Sequence, residues 1–241
     1  MSSPVHQSID STANLCPITT LYRSWFFNPP SGTIAGYPQK GTTAEQDARI
    51  RISGYSRMFV KGKLRYYSDG TYDDKQDSIS FYYNDSDTEI TKRYSIVDSF
   101  FICCPAFICL LSENPKNTID ITNASACKSS LREQSNDEAL LYGKGTVKMS
   151  FYAQASSWMM AEEQAVKALC RQSAFYYASL VKMNDNGHTT DISKVMRYEM
   201  DLEVRNLTVV SRAYEVKDNY CTVWVACKKS DISPWKDTKN E

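Results

Sequence analysis

Residues 155–183, ASSWMMAEEQAVKALCRQSAFYYASLVKM, decide how this chain folds. Ala161, Ala165, Ala168, Leu169, Gln172, Phe175, Tyr176 and Ser179 recur at spacings of three and four, which predicts one long helix. Its small residues would let a sheet approach closely. Asn184-Asp185-Asn186-Gly187 supplies the stop. Two runs with strand period follow, Glu199–Val210 and Tyr220–Lys228. In the first, Met200, Leu202 and Val204 alternate with Glu199, Asp201, Glu203 and Arg205, and Leu207, Val209 and Ser211 extend the series past Asn206. The second is apolar on both sides, as in a central or covered strand. Before the helix, Ala139–Thr146 reads as a strand that Val147–Phe151 continues, with a bulge or twist at Gly143-Lys144-Gly145.

The first half is less regular. Trp25, Phe26 and Phe27 are costly to leave in water, so Leu21–Phe27 is expected to be an ordered strand or anchor. Pro29, Pro30 and Gly32 turn the chain, and Ile34–Tyr37 reads as a short strand. Thr42-Thr43-Ala44-Glu45-Gln46 offers a capping box from either threonine. Ala44, Ala48, Ile52, Tyr55, Phe59 and Lys63 trace one stripe, which predicts a helix from Ala44 to about Leu64. Ser78–Tyr83 and Glu89–Val97 read as a hairpin around Asn84-Asp85-Ser86-Asp87. Phe100–Leu111 reads as a buried strand, or as a pair broken at Pro105.

These readings give an α+β chain of one or two helix-on-antiparallel-sheet modules in β-α-β-β order. The expected organisation is a leader over 1–20, a first module with inserted strands over 21–136, a second module over 137–230, and a tail over 231–241 anchored by Trp235. Gly36-Tyr37 precedes Ala44–Ala48 much as Gly143-Lys144-Gly145 precedes Ala161–Ala165. Either the unit is repeated, or good helix sequence recurs by chance.

Composition narrows the function classes. Lys plus Arg and Asp plus Glu are balanced at 28 each, which removes a general electrostatic reason to bind nucleic acid or anionic lipid. Phe100–Leu111 is too short to span a bilayer. Met1–Cys16 has neither the basic start nor the apolar core of an export signal, so a cytoplasmic location or a trimmed exported form is expected. The eight cysteines include no CxxC pair, which argues against a structural metal. A disulfide from Cys104 or Cys109 to Cys127 is one possible pairing.

Few residues suggest a reaction. His188 follows Asn186-Gly187 and is expected to be a solvated loop histidine rather than a catalyst. His6 is the only other histidine. Cys170 reads as a buried structural thiol. Asp69, Asp73, Asp74 and Asp77 lack the spacing of a calcium loop, and Asn84–Asp87 is more simply a turn. Gly143-Lys144-Gly145 is not a phosphate loop. Lys61, Lys63 and Arg65 with Tyr66 and Tyr67 read as a solvated helix end rather than a nucleic-acid surface. Neither an enzyme nor a cofactor or metal site is expected. The sequons at Asn84, Asn123 and Asn206 are expected to carry no glycans.

Leu141-Tyr142-Gly143-Lys144-Gly145, Ala161–Leu169 and Val209–Val225 resemble the LPP20 family of bacterial envelope lipoproteins and the related N-terminal domain of the flagellar assembly protein FlgT. Trp25, Asn28-Pro29-Pro30, Gly36, Ala44 and Ala48 resemble the opening of such domains. The chain departs from the family in its many cysteines, and no apolar segment precedes Ala13-Asn14-Leu15-Cys16. The resemblance implies a non-enzymatic structural or interaction protein of the cell envelope, periplasmic or outer-membrane-associated. Its partners would be other envelope proteins or further copies of itself, with peripheral membrane attachment in the native form. The alternative from the residues is a small-ligand-binding domain with an apolar pocket between helix and sheet.

Overall fold

The computed structural model describes residues 22–66, 78–83, 88–102, 107–116, 118–122, 124, 138–150, 153–184 and 196–235. Its elements are α1 (Ser24–Phe27), β1 (Thr33–Gly36), α2 (Ala44–Ser56), β2 (Arg57–Tyr66), β3 (Ser78–Tyr83), α3 (Thr88–Lys92), β4 (Ser95–Phe101) and β5 (Phe107–Ser112), then β6 (Leu140–Lys148), α4 (Gln154–Asn184), β7 (Met196–Arg205), β8 (Thr208–Glu215), β9 (Tyr220–Lys228) and β10 (Ile232–Pro234). The strands form three antiparallel sheets, ordered β1-β5-β4, β6-β9-β8 and β10-β7-β2-β3. The fold is α+β, built from helices on antiparallel sheets.

The same order of elements occurs twice. In each case a strand leads into a helix, a ten-residue strand follows, and a hairpin then returns its last strand to pair with the first; in the first set β3 and α3 are inserted before the hairpin. The two ten-residue strands, β2 and β7, pair from Arg57↔Arg205 to Tyr66↔Met196 without a slip. Equivalent strands thus meet antiparallel, the relation a two-fold axis between the two sets of elements generates.

Glycine sets the helix-to-strand distance in both sets. A Cβ on Gly36 would lie 1.9 Å from the Ala44 carbonyl oxygen, and one on Gly145 would lie 2.0 Å from that of Ala161. Gly143 meets the Ala165 carbonyl oxygen at the same 2.0 Å. The expected bulge at Gly143-Lys144-Gly145 is therefore corrected. β6 runs in unbroken register against β9, with Gly143↔Val225, Lys144↔Trp224 and Gly145↔Val223. The glycines are there because the helix backbone lies on them. Ala161, Ala165 and Leu169 are fully buried along that contact.

Thr43 is the α2 cap. Its hydroxyl accepts from the Gln46 N–H at 3.2 Å, and Gln46 Oε1 accepts from the Thr43 N–H at 2.9 Å. The helix stops at Ser56 rather than near Leu64. From Arg57 the alternation has period two, with Met58 and Val60 buried and Lys61 and Lys63 exposed, and β7 supplies the ladder partner. Phe59 and Lys63 fitted a helical stripe only because positions four apart also share a strand face.

The hairpin of Ser78–Tyr83 with Glu89–Val97 is also corrected. β3 pairs with β2, Thr88–Lys92 is helical, and β4 pairs with β5. Phe100–Leu111 is thus a strand pair. The run Glu199–Val210 divides at Asn206, whose φ of 53° turns the chain, so β7 and β8 enter different sheets. The core includes Tyr22, Trp25, Phe26, Phe27, Phe100 and Trp158, packed edge to face for the most part. The described part of Leu21–Phe27, residues 22–27, is therefore an anchor formed around a helical turn, not a strand.

Candidate functional site

Glu162 lies on the buried flank of α4, in a run the sequence presents as ordinary helix-forming residues. Its carboxylate receives four hydrogen bonds. Tyr55 donates to Oε1 at 2.6 Å and Arg51 Nη1 at 3.0 Å, while Tyr37 donates to Oε2 at 2.7 Å and Arg212 Nη2 at 3.0 Å. Arg51 Nε also donates to Asp47 at 2.7 Å. Asp47 accepts from the Tyr37 N–H at 2.9 Å and from Gln39 at 3.2 Å. Arg212 Nε donates to the Tyr37 hydroxyl at 2.9 Å, and its Nη1 donates to the Phe26 carbonyl at 3.0 Å. Arg212 also lies over the Phe26 ring, and Arg51 over the Tyr37 ring.

Two carboxylates and two guanidiniums balance, and each charged group has several partners. Glu162, Arg212, Arg51 and Asp47 are all buried. The cluster joins α2, the segment after β1, α4 and β8, so it ties the two sets of elements to each other.

Glu162, the two tyrosines and the two arginines keep their charge states near neutral pH. Burial pushes the Glu162 carboxyl up, but Arg51, Arg212 and the two tyrosine hydroxyls outweigh burial and hold it below the usual glutamate range. Tyr37 and Tyr55 are raised well above the usual tyrosine range, chiefly by burial. Burial alone would lower both arginines, yet Tyr55, Glu162 and Asp47 raise Arg51, and Tyr37 and Glu162 raise Arg212. None of these groups is poised to exchange a proton with substrate at pH 7. The arrangement can fix geometry.

A second cluster lies on the outer face of the central sheet. Phe59 contacts Tyr82 and Trp235, with ring centroids 5.4 and 4.9 Å away, and Lys61 lies over the Trp235 ring. Glu203, buried beside them, accepts from both Arg57 and Arg205. Arg57 and Arg205 are directly opposed in register, so this carboxylate offsets their repulsion. Lys61 and Lys63 are strand residues here, not a helix end.

Most of the sequence candidates fall where the structure gives no description. His6, His188, Asp69, Asp73, Asp74, Asp77 and Asn84–Asp87 lie outside the described residues. Cys170 is a buried free thiol in α4. Cys109 is also free, which overturns a Cys109–Cys127 bridge; it is held in β5 opposite Gly36. Cys104 and Cys127 lie outside the described residues. Asn206 is at the β7–β8 turn with its amide directed to Asp231. Among the described residues no three His, Cys, Asp or Glu side chains are placed to hold a metal, and no helix is long and apolar enough to cross a membrane. The buried ionic cluster was missed because its members are spread from Tyr37 to Arg212. The local signal in sequence is the Asp47–Arg51 spacing of four on α2.

Comparison with known protein families, curated proteins and solved structures finds no match for the chain.

Proposed function

We propose that this chain is a non-enzymatic structural or interaction protein of the bacterial cell envelope. The observation that supports it most directly is the Glu162 cluster. The most elaborate polar constellation among the described residues is buried, balanced in charge and occupied with joining secondary-structure elements. Chemistry of that kind sustains shape. The envelope location draws on the likeness of Leu141–Gly145, Ala161–Leu169 and Val209–Val225 to the LPP20 family. The alternative, an apolar ligand held between helix and sheet, has less support. Along β6 that space is taken up by direct contact of Gly143 and Gly145 with the α4 backbone.

The test is fractionation of the source cells followed by chemical cross-linking. The chain should sediment with envelope material and cross-link to protein neighbours or to itself. A chain that stays soluble and shows no cross-linked species would overturn the proposal.

A further inference from the structure

The outermost strands of the three sheets are not alike. β1 has only four residues, and β10 has three and ends in Pro234. β4 is interrupted by a bulge between Ile96 and Asp98, and β8 by one between Val209 and Ser211. β6 carries exposed Lys144 and Lys148. Each of these features hinders strand-to-strand addition of another chain.

β3 has none of them. It is the outermost strand of its sheet among the described residues, six residues long, and reads Ser-Ile-Ser-Phe-Tyr-Tyr. It carries no charge, glycine or proline, and it pairs with β2 in continuous register from Met58↔Tyr83 to Lys63↔Ser78. Ser78, Ser80 and Tyr82 are exposed on one face, while Ile79, Phe81 and Tyr83 pack toward the core.

We infer that β3 is a homodimer edge, pairing antiparallel with β3 of a second copy to give one continuous sheet. This rests on the interaction-protein reading above and names the partner. A second copy fits for three reasons. First, a two-fold axis normal to the sheet keeps exposed residues opposite exposed residues, so the pairing is centred on Ser80 or on Phe81. Centred on Ser80, Tyr82 faces Ser78 and Ile79 faces Phe81; centred on Phe81, Tyr82 faces Ser80 and Ile79 faces Tyr83. On the exposed face the large Tyr82 meets a serine in both cases. Second, a neutral edge does not repel its own copy and offers no charge with which to select a different protein. Third, the cationic row of β2, Lys61 and Lys63, lies one strand in from the edge. In the dimer the two rows are three strand spacings apart, about 14 Å, beyond the screening length of about 8 Å at physiological salt.

The experiment is sedimentation equilibrium on the full chain and on Ser80→Lys and Ser80→Asp, with circular dichroism confirming that each variant is folded. The wild type should sediment at twice the 27.4 kDa chain mass. Each variant alone should dimerise about tenfold more weakly or worse, because like charges then oppose one another across the axis when the pairing is centred on Ser80 and are diagonal neighbours when it is centred on Phe81. An equimolar mixture of the two should recover the dimer. Val216→Lys, an exposed apolar position away from β3, should leave the dimer intact. A wild type that is monomeric throughout, variants that dimerise normally, or a mixture that does not recover would each overturn the inference. A monomer that still cross-links to a different envelope protein sinks the β3 dimer and leaves the proposed function standing.

Discussion

Replacing Glu162 with glutamine is the sharpest test of the buried cluster. The substitution preserves shape and removes one charge, leaving Arg51 paired with Asp47 and Arg212 without a carboxylate partner among the described residues. The new amide also turns one acceptor into a donor, facing either Arg212 and Tyr37 or Arg51 and Tyr55. Breaking a buried ion pair by removing one partner costs about 3–5 kcal/mol. For a domain of this size each kcal/mol lowers Tm by roughly 2–4 °C, so a fall on the order of 10 °C is expected. Urea unfolding followed by circular dichroism measures the loss directly. Adding Arg212→Met to the glutamine variant should cost less than the sum of the two single changes, because the second removes a charge the first stranded. A loss for Glu162→Gln under about 1 kcal/mol, or strict additivity of the pair, would refute the argument that the cluster holds the two halves together.

Further outcomes follow from the same geometry. Gly145→Ala places a Cβ 2.0 Å from the Ala161 carbonyl oxygen, so urea unfolding should show it weaker by about 1–3 kcal/mol or more, as overpacking does. Thr43→Ala should cost about 1 kcal/mol in the same assay and Thr42→Ala much less, because only Thr43 closes the capping box. In acid, Glu162 has a folded-state pKa below its unfolded value, so its contribution is present above the usual glutamate range and is lost as pH falls through the lower, folded value. Tyr37 and Tyr55 are shifted the other way, so their contribution is complete below the usual tyrosine range and declines as pH rises toward the folded values. Tyrosinate absorbance from these two rings should therefore appear together with alkaline unfolding and not before it. Burial pushes the Cys109 thiol up to about 11 and those of Cys221 and Cys227 to about 12, so a thiol reagent at pH 7 should reach these three only after denaturant is added.

The parts of the fold legible in sequence were those written in local periodicity. The long helix, the β9 run and the short strand before α2 all carry their own pattern and appear close to where that pattern places them. Elsewhere the local pattern is ambiguous. Residues Arg57–Tyr66 satisfy a helical stripe and a strand alternation alike, and only the pairing with β7 decides between them. The turn at Asn206 is one residue with positive φ inside a run whose alternation continues on both sides. The glycines of β6 looked like an irregularity of the strand, whereas their cause is a helix backbone that arrives from elsewhere in the chain. The ionic cluster could not be read in advance. Asp47 and Arg51 form a familiar spacing on one helix, but nothing near Glu162 or Arg212 in sequence indicates that they meet.

The pairing of β2 with β7 has a kinetic consequence. It joins positions that the chain separates by most of its length, whereas β4–β5 and β8–β9 are hairpins closed over short loops. Closing the long loop is entropically the more demanding step and is rewarded only once both faces exist. Each helix-bearing half is thus placed to assemble early, with the central ladder and the Glu162 contacts locking late, so the slowest event in reaching the native state is the meeting of two partly built halves.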